Sequence, residues 1–147
     1  MADDFRALLQ TFIRRFGLLE AERTPCGHPL APSDAHALML LRPAGDQGLP
    51  QATLAAALGV DKSTASRLVA RLSRLGHLAP AAAPDGRQKP VRLTAKGARL
   101  AATIDAASQD RFAALLENVP ARRRAAVVRA LRDVVQALAR QKAEEET

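Results

Sequence analysis

Residues 49–76 carry apolar side chains at helical spacing in two short runs. The first run predicts a helix with its apolar residues at Leu54, Ala57 and Leu58. Gly59 follows directly and is a typical helix stop, and Asp61 can cap a second helix by accepting backbone N–H groups of its first turn. The second helix has one apolar stripe, formed by Ala65, Leu68, Leu72 and Leu75. The pattern therefore predicts two helices joined by a tight turn.

The other face of the second helix is small, hydroxylated or basic. It carries Ser63, Ser66, Arg67, Ala70 and Arg74, with Lys62 and Arg71 beside them. Small hydroxyl residues allow close approach of a backbone, and arginines can reach acceptors on base edges or phosphates. This division of faces is typical of a recognition helix in a DNA major groove. The competing interpretation is an ordinary amphipathic helix with a solvated basic face.

The residues after Gly76 predict a small β-hairpin. Residues 77–83 form a weak extended run, residues 84–86 (Pro-Asp-Gly) are a turn signal, and residues 91–93 alternate as a returning strand. Arg87 and Lys89 lie at or beside the tip. A helix-turn-helix followed by a basic-tipped hairpin predicts a winged helix, in a protein that is mainly α with a small β-hairpin wing.

Long amphipathic helices are predicted on both sides of this unit. The N-terminal part predicts a helix over residues 3–22, a proline-rich loop over 23–32, and a helix over 35–42 capped by Ser33 and Asp34. The C-terminal part predicts helices over 95–117, capped by Thr94, and from Pro120 to about Lys142. The first and last helices have apolar stripes at Phe5, Leu9, Phe12, Ile13 and Phe16, and at Val127, Val128, Leu131, Val134, Val135 and Leu138. A winged helix of about fifty residues is too small to bury all of these faces.

Three segments together resemble the multiple-antibiotic-resistance regulator (MarR) family. They read ATLAAALGVDKSTASRLVARLSRLGHL, then DGR at 85–87, then VRLTAKG at 91–97. Asp85 and Arg87 are similar to the Asp-x-Arg wing signature of that family. The resemblance implies one domain over residues 1–147, with a winged-helix part at 33–94. It also implies a homodimer, whose dimerisation helices would be residues 3–22 and 95–142.

DNA-contacting residues can be assigned on this basis, with a pseudo-palindromic duplex operator as the expected partner. We expect base-edge contacts from Ser63, Thr64, Ser66 and Arg67. We expect phosphate contacts from Lys62, Arg71, Arg74 and Lys89. Arg87 is the expected minor-groove probe, with Asp85 beside it in the wing signature.

The distribution of charge supports a polyanionic partner. The chain has 147 residues and a net charge of +7. Residues 61–99 hold nine Lys or Arg and two Asp, so this segment accounts for the whole excess. No apolar run approaches the ~20 residues of a membrane span, and no signal peptide is recognisable. With a single cysteine as well, these features predict a cytoplasmic protein that does not bind membranes.

Enzymatic chemistry is not indicated, because the chain has no catalytic serine motif, phosphate loop or HExxH, and no cofactor is expected. We expect a repressor that a small-molecule effector releases from DNA. Cys26, His28 and His36 are the candidate effector-pocket or sensor residues. One alternative is redox sensing through Cys26, whose pKa the nearby Arg23 could lower.

Two further alternatives remain open. One is a metal-sensing regulator, whose metal site could be formed by Cys26, His28 and His36 with Glu20 or Glu22. Zinc-sensing relatives also use a histidine pair on the fifth helix, which this chain lacks, and so no metal site is assigned. A winged helix serving as a protein-interaction module is the remote alternative, and concentration of the charge excess on the second helix and wing argues against it.

Overall fold

A computed structural model describes residues 1–25, 27–83 and 86–145. Within these ranges the fold is mostly helical, with a small three-stranded antiparallel sheet. The helices are α1 (Ala2–Phe16), α2 (Pro32–Leu41), α3 (Gln51–Leu58), α4 (Lys62–Arg74), α5 (Ala95–Glu117) and α6 (Ala121–Glu145). A 3-10 helix (Arg42–Gln47) follows α2, and the strands are β1 (Leu49–Pro50), β2 (Leu78–Pro80) and β3 (Pro90–Leu93). This is a winged helix with additional helices at both ends, as the sequence predicts.

The sheet anchors the wing to the helix-turn-helix. Its order is β1-β3-β2, with Leu49 opposite Val91 and Leu78 opposite Leu93. The sequence pattern predicts β2 and β3 but not β1, because a two-residue strand is too short to show alternation. Strand β3 therefore pairs with the two residues directly before α3, which fixes the base of the hairpin.

The hydrophobic core joins the helix-turn-helix, the wing and the first part of α5. Its largest fully buried side chains are Leu38, Leu41, Leu54, Leu68, Leu72 and Ile104. On α4, three residues of the predicted stripe are buried together with Val69, whereas the fourth, Leu75, is 46% exposed. On α3, Ala55 is buried whereas the predicted Ala57 is exposed. Which residues of a helix are buried depends on where its neighbouring helices lie, and the periodicity of one helix does not contain that information.

Two predicted helix boundaries are wrong. Helix α1 ends at Phe16 rather than near Glu22, because Gly17 adopts φ 87° and the Leu18 N–H returns to the Ile13 carbonyl oxygen. Helix α2 begins at Pro32, without a side-chain cap. Asp34 is thus inside its first turn, where it meets α4 instead of capping α2.

Contacts divide the chain into two compact units, residues 1–108 and 109–147. The first contains α1 to β3 and the beginning of α5. The second contains the end of α5 and all of α6. At the α5–α6 connection, the guanidinium of Arg124 donates to the carbonyl oxygens of Val119 (3.0 Å) and Glu117 (2.9 Å), so the connection is held by hydrogen bonds to backbone.

Candidate DNA-binding surface

Helix α4 begins with the predicted aspartate cap. Oδ1 of Asp61 accepts the Thr64 N–H at 2.6 Å and the Ser63 hydroxyl at 2.8 Å. The Thr64 N–H, with the hydroxyls of Ser63 and Thr64, lowers the pKa of Asp61 to about 2. Asp61 is therefore ionised at neutral pH and holds the N-terminal turn of α4 in place.

The face of α4 opposite the core is exposed and polar. Exposed side chains are Lys62, Ser63, Ser66, Arg67, Ser73 and Arg74, with Ala70 between them. Thr64 is half-buried, and its hydroxyl oxygen accepts a hydrogen bond from Nη2 of Arg67 at 3.3 Å. This contact orients the Arg67 guanidinium toward the N-terminal half of α4. The face presents hydroxyls and guanidinium groups within reach of base edges and phosphates.

Arg71 differs from its basic neighbours, because it makes an ion pair with Asp34 of α2. Its Nε donates to Oδ2 of Asp34 at 2.9 Å, and its Nη2 donates to Oδ1. The hydrogen bonds to Asp34 raise the pKa of Arg71 above its usual value. Two of its N–H donors are thus directed into the protein, which the spacing along α4 does not predict.

The C-terminus of α4 is capped by the first turn of α5. Nζ of Lys96 donates to the Leu75 carbonyl oxygen at 2.7 Å, and the Thr94 hydroxyl donates to the Gly76 carbonyl oxygen at 2.6 Å. Thr94 also accepts the Gly97 N–H at 3.1 Å, as predicted for the α5 cap. A lysine near a helix C-terminus is stabilising because the helix dipole is negative there. Lys96 therefore orients α4, a role that sequence reasoning missed.

His77 lies directly after this cap and is buried. Burial, and secondarily the positive charge of Lys96, lowers its pKa, so the imidazole is neutral at physiological pH. The backbone N–H of His77 donates to the Leu72 carbonyl oxygen, and the His77 carbonyl oxygen accepts the Thr94 N–H. The backbone of His77 thus connects α4 to α5.

The wing presents exposed Arg87 and Lys89 beyond the ends of β2 and β3. The Ala81 N–H donates to the Pro90 carbonyl oxygen at 2.9 Å, which holds the two arms together past Pro80. Asp85, predicted as part of the wing signature, lies outside the described residues. Two cations, Arg87 and Lys89, are thus exposed between the ends of the two strands.

The candidate effector residues lie in or near the α1–α2 loop. His28 is half-buried and forms two hydrogen bonds with the buried Thr24. The Thr24 backbone N–H donates to the His28 carbonyl oxygen at 2.9 Å, and the His28 backbone N–H donates to the Thr24 hydroxyl oxygen at 2.9 Å. His36 lies on an exposed position of α2. Cys26 lies outside the described residues. The loop is thus held closed by hydrogen bonds between Thr24 and His28.

Cavities in the first unit lie near the wing and near the 3-10 helix. One of about 340 Å³ is bounded by α4 and the wing, including Val69, Ser73, Lys89 and Val91. Another of about 240 Å³ lies between Leu41, Asp46 and Ala98. Neither cavity is lined by His28 or His36.

Metal binding and membrane crossing can be assessed for the part of the chain that the structure describes. No three His, Asp or Glu side chains there are grouped so that they could share a metal ion. None of the helices in those ranges combines the length and apolar character that a bilayer span requires.

Comparison with known proteins shows similarity to one family of regulators. Residues 28–88, which include α2, the helix-turn-helix and most of the wing, match the sequence model of the MarR family. A MarR-family transcriptional regulator from Rhodococcus sp. RHA1 has a similar structure, with 25% identity, a TM-score of 0.65, and coverage of 95% of this chain and 94% of that one. The sequence match covers residues 28–88, and the structural similarity to a MarR-family regulator extends over nearly the whole chain.

Other solved structures are similar over most of this chain. CouR from Rhodococcus jostii RHA1, bound to p-coumaroyl-CoA, is 25% identical with a TM-score of 0.70, covering 94% of this chain and 93% of CouR. The fold of MepR from Staphylococcus aureus in complex with DNA is also similar, with a TM-score of 0.75 at 22% identity, over 90% of this chain and 97% of MepR. No curated protein sequence matches the chain. Together these similarities support a DNA-binding transcriptional regulator.

Proposed function

We propose that the protein is a homodimeric repressor that binds a pseudo-palindromic duplex operator and is released by a small organic effector. The observation that carries this proposal is the exposed polar face of α4, positioned by a capped N-terminus and a buried apolar side. Helix α4 would lie in the major groove, and Arg87 would enter the adjacent minor groove. No catalytic role is proposed, and the site of action would be the cytoplasm.

The residue roles follow from exposure along α4 and the wing. Ser63, Thr64, Ser66 and Arg67 would contact base edges, because they occupy the N-terminal half of the helix that enters the groove. The exposed ammonium and guanidinium groups of Lys62, Arg74 and Lys89 would contact phosphates. Specificity would depend on the first set, and most of the salt dependence on the second.

Homodimerisation is supported by the exposed apolar side chains of the terminal helices. Phe5, Leu8, Leu9 and Phe12 of α1 are exposed, as are Val127, Val128, Leu131, Val135 and Leu138 of α6. On each helix, an exposed row of large apolar side chains is typical of a protein interface. A two-fold dimer would present two copies of α4 to half-sites about 10 base pairs apart.

A small-molecule effector is supported by relatives crystallised with ligands. CouR was solved with p-coumaroyl-CoA, and PcaV from Streptomyces coelicolor, 26% identical to this chain with a TM-score of 0.65, with its natural ligand. The coverage for PcaV is 90% of this chain and 89% of PcaV. We propose an anionic or amphipathic organic effector that contacts the α1–α2 loop near His28 and His36, with Cys26 beside it. If peroxide, zinc or a chelator switched DNA binding while organic ligands did not, redox or metal sensing would replace this proposal.

Titration of the protein with duplex DNA at two salt concentrations tests the DNA-binding function. Each phosphate neutralised by a cation contributes about 0.9 to the slope of log affinity against log salt. We expect a slope of several units and a footprint on a palindrome in the DNA beside the protein's own gene. Failure to bind duplex DNA even at low salt would favour a protein-interaction module instead.

A further inference from the structure

We propose that the Asp34–Arg71 ion pair is a positioning contact, through which α2 sets the orientation of the recognition helix α4. This inference rests on the proposed operator binding by α4. It replaces the expectation that Arg71 contacts a phosphate. In this view Arg71 affects sequence preference without touching DNA.

The geometry of the pair is that of a two-pronged contact. Nε of Arg71 donates to one carboxylate oxygen of Asp34 at 2.9 Å, and Nη2 donates to the other. Because a planar guanidinium matches a carboxylate in one relative orientation, two parallel hydrogen bonds restrict rotation as well as distance. The pair connects residues 37 positions apart in the chain. It therefore fixes how α4 is rotated about its own axis relative to α2.

Burial of the carboxylate makes the contact difficult to exchange for water. The Asp34 side chain is 4% exposed and the Arg71 side chain is 42% exposed. A buried carboxylate without a partner is costly, so Asp34 holds the guanidinium in place. The pair carries no net charge and would add little to phosphate binding, in contrast to the exposed Arg67 and Arg74 on either side of Arg71.

Helix α2 is held at its other end by a second ion pair. Nη1 of Arg42, directly after α2, donates to Oδ2 of Asp105 on α5. A displacement of the first turn of α2 must therefore either carry α4 with it or break the Asp34–Arg71 pair. Because the α1–α2 loop leads directly into that turn, the pair is placed to transmit movement of the loop to α4.

Variants of both partners separate positioning from phosphate contact. We would measure affinity for operator and for random duplex, and the salt slope, for Arg71→Met, Asp34→Leu and the double variant. Two controls match them: Arg74→Met removes an exposed cation from α4, and Arg42→Met breaks an ion pair that does not touch α4. Circular dichroism and the urea midpoint would report the folded fraction of each variant.

The positioning role predicts a specific pattern. Arg71→Met and Asp34→Leu should each lower the operator-to-random affinity ratio by roughly tenfold, within the range found for residues in direct contact. The double variant should lose no more than either single variant, because both remove the same contact. The salt slope should stay at the wild-type value in all three and fall by about 1 only in Arg74→Met. Arg42→Met should lower the ratio less than Arg71→Met does, because the Asp34–Arg71 pair is intact in this variant.

Three results would overturn the proposal. The first is a drop in salt slope for Arg71→Met equal to that for Arg74→Met; the second is an Asp34→Leu variant with wild-type operator preference. If either buried-pair variant does not fold, Arg71→Lys is decisive, because a phosphate contact tolerates lysine whereas a two-pronged hold on Asp34 does not. The third result that would overturn the proposal is therefore a wild-type operator preference in Arg71→Lys. Absence of duplex binding by the wild type would count against the proposed function itself.

Discussion

Gly97, in the first turn of α5, lies against the backbone of His77. A Cβ atom added at this position would lie 2.1 Å from the His77 carbonyl oxygen and 2.9 Å from its carbonyl carbon. Carbon–oxygen contacts settle at about 3.3 Å or more, so Gly97→Ala requires a displacement of more than about 1 Å. The same carbonyl oxygen accepts the Thr94 N–H at 3.0 Å, which restricts its movement.

Two opposing effects determine the size of the loss. Alanine in place of glycine favours a helix by up to about 1 kcal/mol, whereas overpacking costs about 1–3 kcal/mol and more where the neighbour is backbone. We expect Gly97→Ala to destabilise the fold by about 2 kcal/mol, which lowers the urea midpoint by about 1 M. Operator affinity should also fall, because the displaced turn carries Thr94 and Lys96 away from the C-terminus of α4.

Equilibrium unfolding in urea at one fixed protein concentration measures this effect. Ala98→Gly is the matched control, because position 98 is exposed and reports helix propensity at the neighbouring residue. We expect this control to lose about 1 kcal/mol or less. A Gly97→Ala variant that is as stable as the wild type, or more stable, would refute the close packing of α5 on His77.

Three shorter predictions concern the wing, the dimer and the helix cap. Arg87→Ala should weaken operators with A·T-rich flanks more than those with G·C-rich flanks, and equal losses would contradict minor-groove insertion. Leu131→Glu places a charge on an apolar face of α6, where Leu131 is 58% exposed in the single chain. Because burying that charge in a dimer costs several kcal/mol, the variant should sediment as monomer or aggregate. A wild-type monomer at micromolar concentration would contradict the dimer. Because the pKa of Asp61 is lowered from 3.8 to about 2, its stabilising contribution is complete above pH 3.8 and is lost as the pH falls through about 2. Asp61→Asn should remove this part of the acid dependence in a urea titration across pH, and an unchanged profile would contradict the cap.

Local sequence signals predicted much of the fold. Thr94 and the apolar repeat gave α5 its observed bounds, and Asp61 with the following stripe located α4. The predicted end of α1 was too late, because Leu18 and Leu19 continue the apolar pattern after Gly17 has already turned the chain. Periodicity is thus reliable within a helix and less so at its ends.

Contacts between distant segments account for what the sequence did not predict. In the sequence, Arg71 is one more cation on α4, and only the packing of α2 shows that Arg71 forms an ion pair with Asp34. The sequence likewise indicates no partner for Lys96, and only the packing of α5 against the end of α4 shows its hydrogen bond to the Leu75 carbonyl oxygen. Residue type gives the chemistry that is possible, and the tertiary arrangement decides which partner is reached.

The central claim, that α4 reads base edges, is tested most directly by Arg67→Ala on operator and random duplex. The loss of two hydrogen bonds to a guanine edge should cost about 1–3 kcal/mol on operator and much less on random DNA. Arg129→Ala, which removes the same charge from an exposed position of α6, should leave both affinities near the wild-type values. Equal losses on both duplexes for Arg67→Ala would contradict base reading by α4 and would place Arg67 among the phosphate contacts.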